Sequence, residues 1–210
     1  MSELGWLGPD LDAAEVDAAH RVVEAVMRLD GAVGWVHVPD RAETAAWLAE
    51  IAAEIAAGRT RMALVGADGR VEALGRWTRD AMPTVAVNAE VLQVMVHPRA
   101  RGRGLARRLV GALVEDARAH GVETLTLDVR GNNHAAMALY ESYGFEVYGR
   151  LPDFVAVGDE RWDRVLYRLD LRTGDWPVRR HGARPTGPGA STVRSPKGWV
   201  SQWPEGPPPA

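Results

Sequence analysis

The sequence predicts an α/β fold of the mixed α+β kind, with a mixed central sheet flanked by helices. Three observations predict it. Two β-rich segments joined by an Asp-Gly turn lie before residue 80, an extended segment runs through an Arg/Gly loop into a helix between 90 and 120, and helical stripes fall both before and after these strands. Composition agrees: 210 residues with 46% hydrophobic and 25% charged side chains are enough for one well-cored domain.

Asp12 followed by Glu15 forms a capping box, and Val16, Ala19, Val23, Val26 and Met27 recur at helical spacing, predicting a helix over about 12–29. Asp40 and Glu43 repeat the signature. Trp47, Leu48, Ile51 and Ile55 then form one stripe that ends at Gly58, predicting a second helix over about 41–57. The connection Gly34-Trp35-Val36-His37-Val38 is too apolar for a merely solvated loop and is expected to line a site.

Met62–Val65 and Val71–Gly75 read as strands around the turn Gly66-Ala67-Asp68-Gly69. Val85–Val87 and Glu90–Val96 read as further β-rich segments, ended by Pro98. Leu105, Leu109, Ala112, Leu113 and Ala117 make a helical stripe from Gly104 to about His120. Thr124–Val129 alternates apolar and polar, Asn133 can cap a helix carrying Ala136, Leu139, Tyr140 and Tyr143, and Phe145–Gly149 and Arg164–Leu171 complete the strands. Residues 1–173 form the expected domain. Residues 174–210 hold eight prolines and six glycines, with five Lys/Arg against two Asp/Glu, and read as an irregular basic tail. Trp176, Trp199 and Trp203 within it are costly to leave in water.

Several function classes are excluded or disfavoured. With no cysteine, thiol nucleophiles and Cys-ligated metals are ruled out, and the six histidines show no metal-ligand spacing, so no metal is expected. A net charge of −3 provides no global basic field for nucleic acid. The N-terminus lacks a leader pattern and no apolar run reaches a membrane span, so the expected location is the cytoplasm, without a membrane partner.

The local exception in charge is the stretch 97–108, which has five arginines and no acid. Small residues at 102, 104 and 106 allow an anion close to the backbone, and the following helix presents unsatisfied N–H groups and its positive dipole end. Arginine adds forked donors for phosphate oxygens. Neither a Walker loop nor a dinucleotide fingerprint is present, and by itself the loop is equally a solvated basic helix start.

Arg101-x-x-Gly104-x-Ala106, then Leu127-Asp128-Val129-Arg130-Gly131-Asn132-Asn133, then Ala138-Leu139-Tyr140-Glu141-Ser142-Tyr143-Gly144-Phe145, resembles the GNAT superfamily of acyl-CoA-dependent N-acyltransferases over about residues 10–171. The resemblance implies a GNAT-like fold and acetyl-CoA as cosubstrate. It implies pantetheine pairing along Val94, Met95 and Val96, and pyrophosphate contacts from Arg101, Gly102, Arg103, Gly104, Leu105, Ala106 and Arg107, mostly through backbone N–H groups. Asn133 matches an asparagine that contacts the CoA arm, although it is equally a helix cap. Tyr140 matches the acid that protonates the departing thiolate. Glu90 matches the strand carboxylate that acts as base in histone-acetylating members. Asp128 stands where N-terminal-alanine-acetylating members carry a glutamate base.

Water relay, His37 and His134 are further routes for the proton. The implied activity is acetyl transfer to a primary amine of a small molecule, by a monomer or homodimer. A protein N-terminal or lysine acetyltransferase and a non-catalytic acyl-CoA sensor are the alternatives. Trp35, His37, Trp77 and Trp162 are expected at the acceptor site, where aromatic residues suit an apolar or cationic amine.

Overall fold

The structure is a computed structural model that describes residues 2–29, 34, 35, 37–67 and 70–172. The chain runs β1 (Ser2–Trp6), α1 (Ala13–Met27), α2 (Arg41–Ala56), β2 (Thr60–Ala67), β3 (Arg70–Arg79), β4 (Asn88–Val96), α3 (Leu105–Ala119), β5 (Thr124–Arg130), α4 (His134–Glu141), β6 (Glu146–Val157) and β7 (Glu160–Asp170). Seven strands form one mixed sheet in the order β1-β2-β3-β4-β5-β7-β6. Its single parallel pair is β4–β5, joined by α3, as a parallel pairing requires a crossover.

Both capping boxes form: Asp12 accepts from the Glu15 N–H, Asp40 from the Glu43 N–H, and each glutamate reaches back to its cap. Period-2 alternation sends β-strand side chains to two cores. On one face Leu105, Leu109, Leu113 and Ala117 of α3, with Tyr140 of α4, pack on Ala63, Val65, Ala73, Leu125, Leu127, Val165 and Tyr167. On the other, Val16, Val22, Val23, Leu48 and Ile51 of α1 and α2 pack on Met62, Leu74 and Met95 of β2–β4. Each fully buried Leu or Val contributes about 1.5–3 kcal/mol of apolar burial.

On this second face, β5 and β7 add no side chain to the α1/α2 core. With Leu127 and Val129 of β5 and Val165 and Tyr167 of β7 facing α3, their neighbours Thr126, Asp128, Arg130, Arg164 and Leu166 project to the opposite side. Half of the face is therefore polar and uncovered by α1 and α2, and it adjoins the gap described below.

The sequence expectations need four corrections. β1 was not anticipated; it pairs antiparallel with β2, and its short Leu4-Gly5-Trp6 alternation carries almost no signal by itself. Val85–Val87 is no strand: the Asp80 carboxylate accepts from the Met82 N–H, and Val85 N–H and Asn88 N–H donate to Met82 and Val85 carbonyls, winding the segment into turns. β6 and β7 are longer than expected because they form one extended hairpin with two bulges. Trp77 does not line an acceptor site: it is 1% exposed in the α3 core, where its Nε1–H donates to the Asp116 carboxylate at 2.9 Å. The Asp68-Gly69 turn and the tail 174–210 lie outside the described residues.

Removing the Trp77 acceptor tests that core. Asp116→Ala leaves a buried indole N–H unpaired and is expected to lower unfolding stability by about 1–3 kcal/mol, while Asp116→Asn loses less because an amide oxygen still accepts. Urea unfolding monitored by tryptophan fluorescence measures both.

Candidate active site

β4 and β5 pair over three positions, Asn88 with Thr124, Ala89 with Leu125 and Glu90 with Thr126, and then part. The cause lies on the other edge of β4. Leu74 faces Met95 and Arg76 faces Leu92, so Gly75 alone stands opposite Gln93 and Val94, a bulge in which Gln93 adopts φ 55. The extra residue reverses the alternation: Ala89 and Val91 face the α3 core before it, Val94 and Val96 after it, and Met95 turns to the α1/α2 core. Gly75 makes a close approach here. A Cβ on it would lie 3.3 Å from Val94 Cα and 3.3 Å from Leu109 Cδ2. A left-handed glutamine costs roughly 1–2 kcal/mol. Arg76 braces it, its Nε–H donating to Gln93 Oε1 at 2.7 Å.

The parting opens a cavity of about 400 Å³ lined by Val91–Val96, Asp128, Val129, Arg130, Asn133, Ala136, Tyr140 and Arg101, with Val26, Gly34 and Val155 at its margins. Val94, Met95 and Val96 thus lie where their β5-side backbone groups have no ladder partner. At the upper end, Gly102 and Gly104 hold φ of 74° and 77°, a conformation that favours glycine. Gly104 is the N-cap of α3 and supplies no side-chain cap, so the N–H groups of Leu105, Ala106 and Arg107 are presented outward. Buried Leu105 anchors this turn to the core while Arg101, Arg103 and Arg107 remain exposed. The turn can hold a polyanion at the cavity's mouth.

Tyr140 reaches the same cavity from α4, on the α3 side of the sheet. It is 7% exposed, its ring packs edge-on against Phe145 at 5.7 Å, and burial, then the charge of Asp128, pushes its phenol well above the usual range. Asn133 lines the cavity and also caps α4, its Oδ1 accepting from the Ala136 N–H at 3.2 Å. Both sequence readings of Asn133 are geometrically compatible.

The two carboxylates approach from the opposite face. Asp128 lines the cavity, and its Oδ1 accepts from Arg164 Nη2 at 2.6 Å. Glu90 instead lines a neighbouring cavity of about 480 Å³ with Thr78, Asp80, Asn88 and Thr126. Burial, and secondly repulsion from Asp128, raises the Glu90 pKa, with Arg164 and Arg76 pulling it back. The sequence favours Glu90 as base with Asp128 as its competitor; the structure gives each its own cavity and couples their charges.

His37 pairs with exposed Glu43 at 2.9 Å, and His134 is exposed at the start of α4; neither lines the cavity. Trp35 packs edge-on against Trp47 at 5.1 Å, so its neighbour Gly34, not the indole, borders the cavity. Trp162 lies on β7 outside the lining. Sequence reasoning missed Arg76, Gln93 and Arg164; the signal available was period 2, which puts Arg76 and Arg164 on the polar face once the strands are paired. Among the described residues no group of three or more His, Asp or Glu side chains could hold a metal ion.

Between its unfolded value and its raised folded one, Glu90 binds its proton more tightly in the native state, so that stability falls as pH rises through that window. Glu90→Gln is therefore expected to raise Tm near neutral pH, an advantage that vanishes in acid below the ordinary carboxylate range; calorimetry at several pH values measures it.

The Acetyltransferase (GNAT) family pattern matches residues 41–145, half of the chain. The chain is 35% identical over 83 residues to the ribosomal protein bS18-alanine N-acetyltransferase of Escherichia coli (strain K12), covering 40% of this chain and 56% of that one. It is 36% identical over 79 residues to the L-methionine sulfoximine/L-methionine sulfone acetyltransferase of Salmonella typhimurium, covering 37% of this chain and 46% of that one. It thus spans about half the length of the curated relatives it matches. The solved structure of yncA from Salmonella typhimurium with its cofactor acetyl-CoA superposes with a TM-score of 0.69 at 22% identity, covering 83% of this chain and 98% of that one. With the family pattern spanning the bulged strand, the Arg/Gly turn and α4, the chain belongs to the GNAT acetyltransferase family.

Proposed function

We propose that this protein transfers an acetyl group from acetyl-CoA directly to a primary amine of a small molecule in the cytoplasm. The observation that carries this reading is the continuous path from the uncapped α3 N-terminus, along the unpaired edge of Val94–Val96, to Tyr140 and Asp128. The pyrophosphate rests on the N–H groups of Gly102–Arg107 with Arg101 and Arg103 beside it, and the pantetheine adds to the open edge of β4 as a strand would. The thioester then lies in the gap, reachable from both faces of the sheet.

Glu90 takes a proton from the acceptor ammonium. The neutral nitrogen attacks the thioester carbon, a C–N bond forms, and collapse of the tetrahedral intermediate breaks the C–S bond. The second nitrogen proton goes to the sulfur by way of Tyr140, so one proton is released to solvent per amide formed. A thiol ionises near pH 8.5, far more readily than the Tyr140 phenol. Tyr140 therefore does not simply hand over its proton; it donates a hydrogen bond to the developing thiolate and passes its proton on as it receives the one from nitrogen. Burial, and then repulsion from Asp128, which Arg164 holds, keeps Glu90 basic.

Release of CoA thiol measured across an amine panel tests this reading. Tyr140→Phe is expected to lower kcat about 10²-fold or more with little change in KM for acetyl-CoA. Asp128→Asn removes the repulsion on Glu90 and frees Arg164, so the ascending limb of the kcat–pH profile is expected to move to lower pH. Tight CoA binding by calorimetry with no thiol release on any amine would instead identify an acyl-CoA sensor.

A further inference from the structure

Around Glu90 and Asp128, on the polar half of the sheet face, stand Arg76 on β3, Arg130 on β5 and Arg164 on β7, with Asp80 beside Glu90. Arg76 is committed to Gln93. Arg164 is differently placed. Its Nη2 donates to Asp128, its Nε is buried with no hydrogen-bond partner, and its side chain keeps 33% of its exposure.

The Cζ of this guanidinium lies over the Phe154 ring, 5.5 Å from its centroid. The bulge between Leu151 and Val155 sets that ring in place. Asp153 adopts φ 53, its N–H donates to Asp163 Oδ1 at 3.3 Å, and Arg150 holds the other Asp163 oxygen at 2.7 Å. A guanidinium binds a carboxylate in forked geometry through its in-plane donors, and Arg164 gives Nη2 to Asp128 while its Nε has no partner. Phe154 itself is 56% exposed beside Val155, which lines the cavity, and offers apolar surface to an acceptor side chain.

We infer that the acceptor is an amino acid with a free α-carboxylate, which binds Arg164 in exchange for Asp128 while its amine lies between Asp128 and Glu90. This rests on the acetyl-transfer reading and narrows its acceptor. An α-amino acid carries its two charges on substituents of one carbon, so its receptors must be adjacent; Arg164 and Asp128 are 2.6 Å apart. The internal pair is thus a stand-in that a zwitterion replaces with both charges still matched. A peptide N-terminus presents a neutral amide at the corresponding position and leaves Arg164 without a substrate partner.

The test compares L-amino acids, each with its own amide and its decarboxylated amine, in steady-state kinetics with the full chain. The amide has the less basic amine and so the intrinsic chemical advantage. A preference for the acid therefore reports recognition. For the preferred side chain, kcat/KM is expected to be at least about tenfold higher for the acid than for the amide, as for one charge-assisted hydrogen-bonded contact. Arg164→Gln is expected to erase that ratio through KM for the acid, and Arg164→Lys to restore part of it. An amide or peptide used as well as the acid overturns the inference, as does an equal loss on acid and amide in Arg164→Gln, which would make Arg164 only a brace for Asp128. If no acceptor releases CoA thiol, the acetyl-transfer reading fails separately. The same acid and amide pairs are then titrated into the CoA complex by calorimetry, where tighter binding of the acid upholds the carboxylate site and equal binding overturns it.

Discussion

β4 runs beside β5 for three residue pairs and would continue to do so if its hydrogen-bonding register with β3 were unbroken. One extra residue at Gln93, set opposite Gly75, where a Cβ would sit 3.3 Å from Val94 and Leu109, turns the strand away and leaves its backbone edge unpaired inside the molecule. Unpaired buried backbone is costly, and a sheet normally avoids it. Here the exposed edge serves as the cavity wall. Arg76 holds the bulge from the side chain of the strained residue itself, which places this arginine among the structural supports of the site.

The gap also sets the division of chemical labour. A closed sheet would isolate its two faces from one another, with α4 on one side and the polar half of β5 and β7 on the other. Where β4 and β5 part, Tyr140 enters from the α3 side and Asp128 from the opposite side, and both line one cavity. Their charges interact: Asp128 contributes to the raised pKa of both Tyr140 and Glu90. Glu90 stays in an environment that disfavours its charged form, which is a stability cost that the proposed reaction would turn to use, since it makes Glu90 a stronger base than an ordinary carboxylate.

What was legible in the sequence was local. Asp12 and Asp40 announce their helices within three residues, and the Arg/Gly turn, the α3 stripe and the span from Asn133 to Tyr140 are each read over a dozen residues or fewer. What was not legible depends on pairing across the sheet. β1 becomes a strand only against β2, and Trp77 looks like site material until alternation sends it into the α3 core. Gln93 carries no mark of a bulge, and its opposite residue, Gly75, is identified only once the strands are paired. Glu90 and Asp128 lie on different strands, and only their registered pairing shows that they serve neighbouring cavities.

The same distinction separates the two halves of the site. The proposed cofactor half is built largely from backbone: positive φ at Gly102 and Gly104, open N–H groups at α3, and a free strand edge. Such a half tolerates changes of side chain and leaves a compact motif. The proposed acceptor half is assembled from Glu90, Asp128, Phe154 and Arg164, four side chains contributed by four strands. None of them is constrained by its sequence neighbours, and Phe154 and Arg164 lie beyond the stretch that matches the family pattern. A shared family therefore transmits the donor reliably while the acceptor must be read from the charges on this one face.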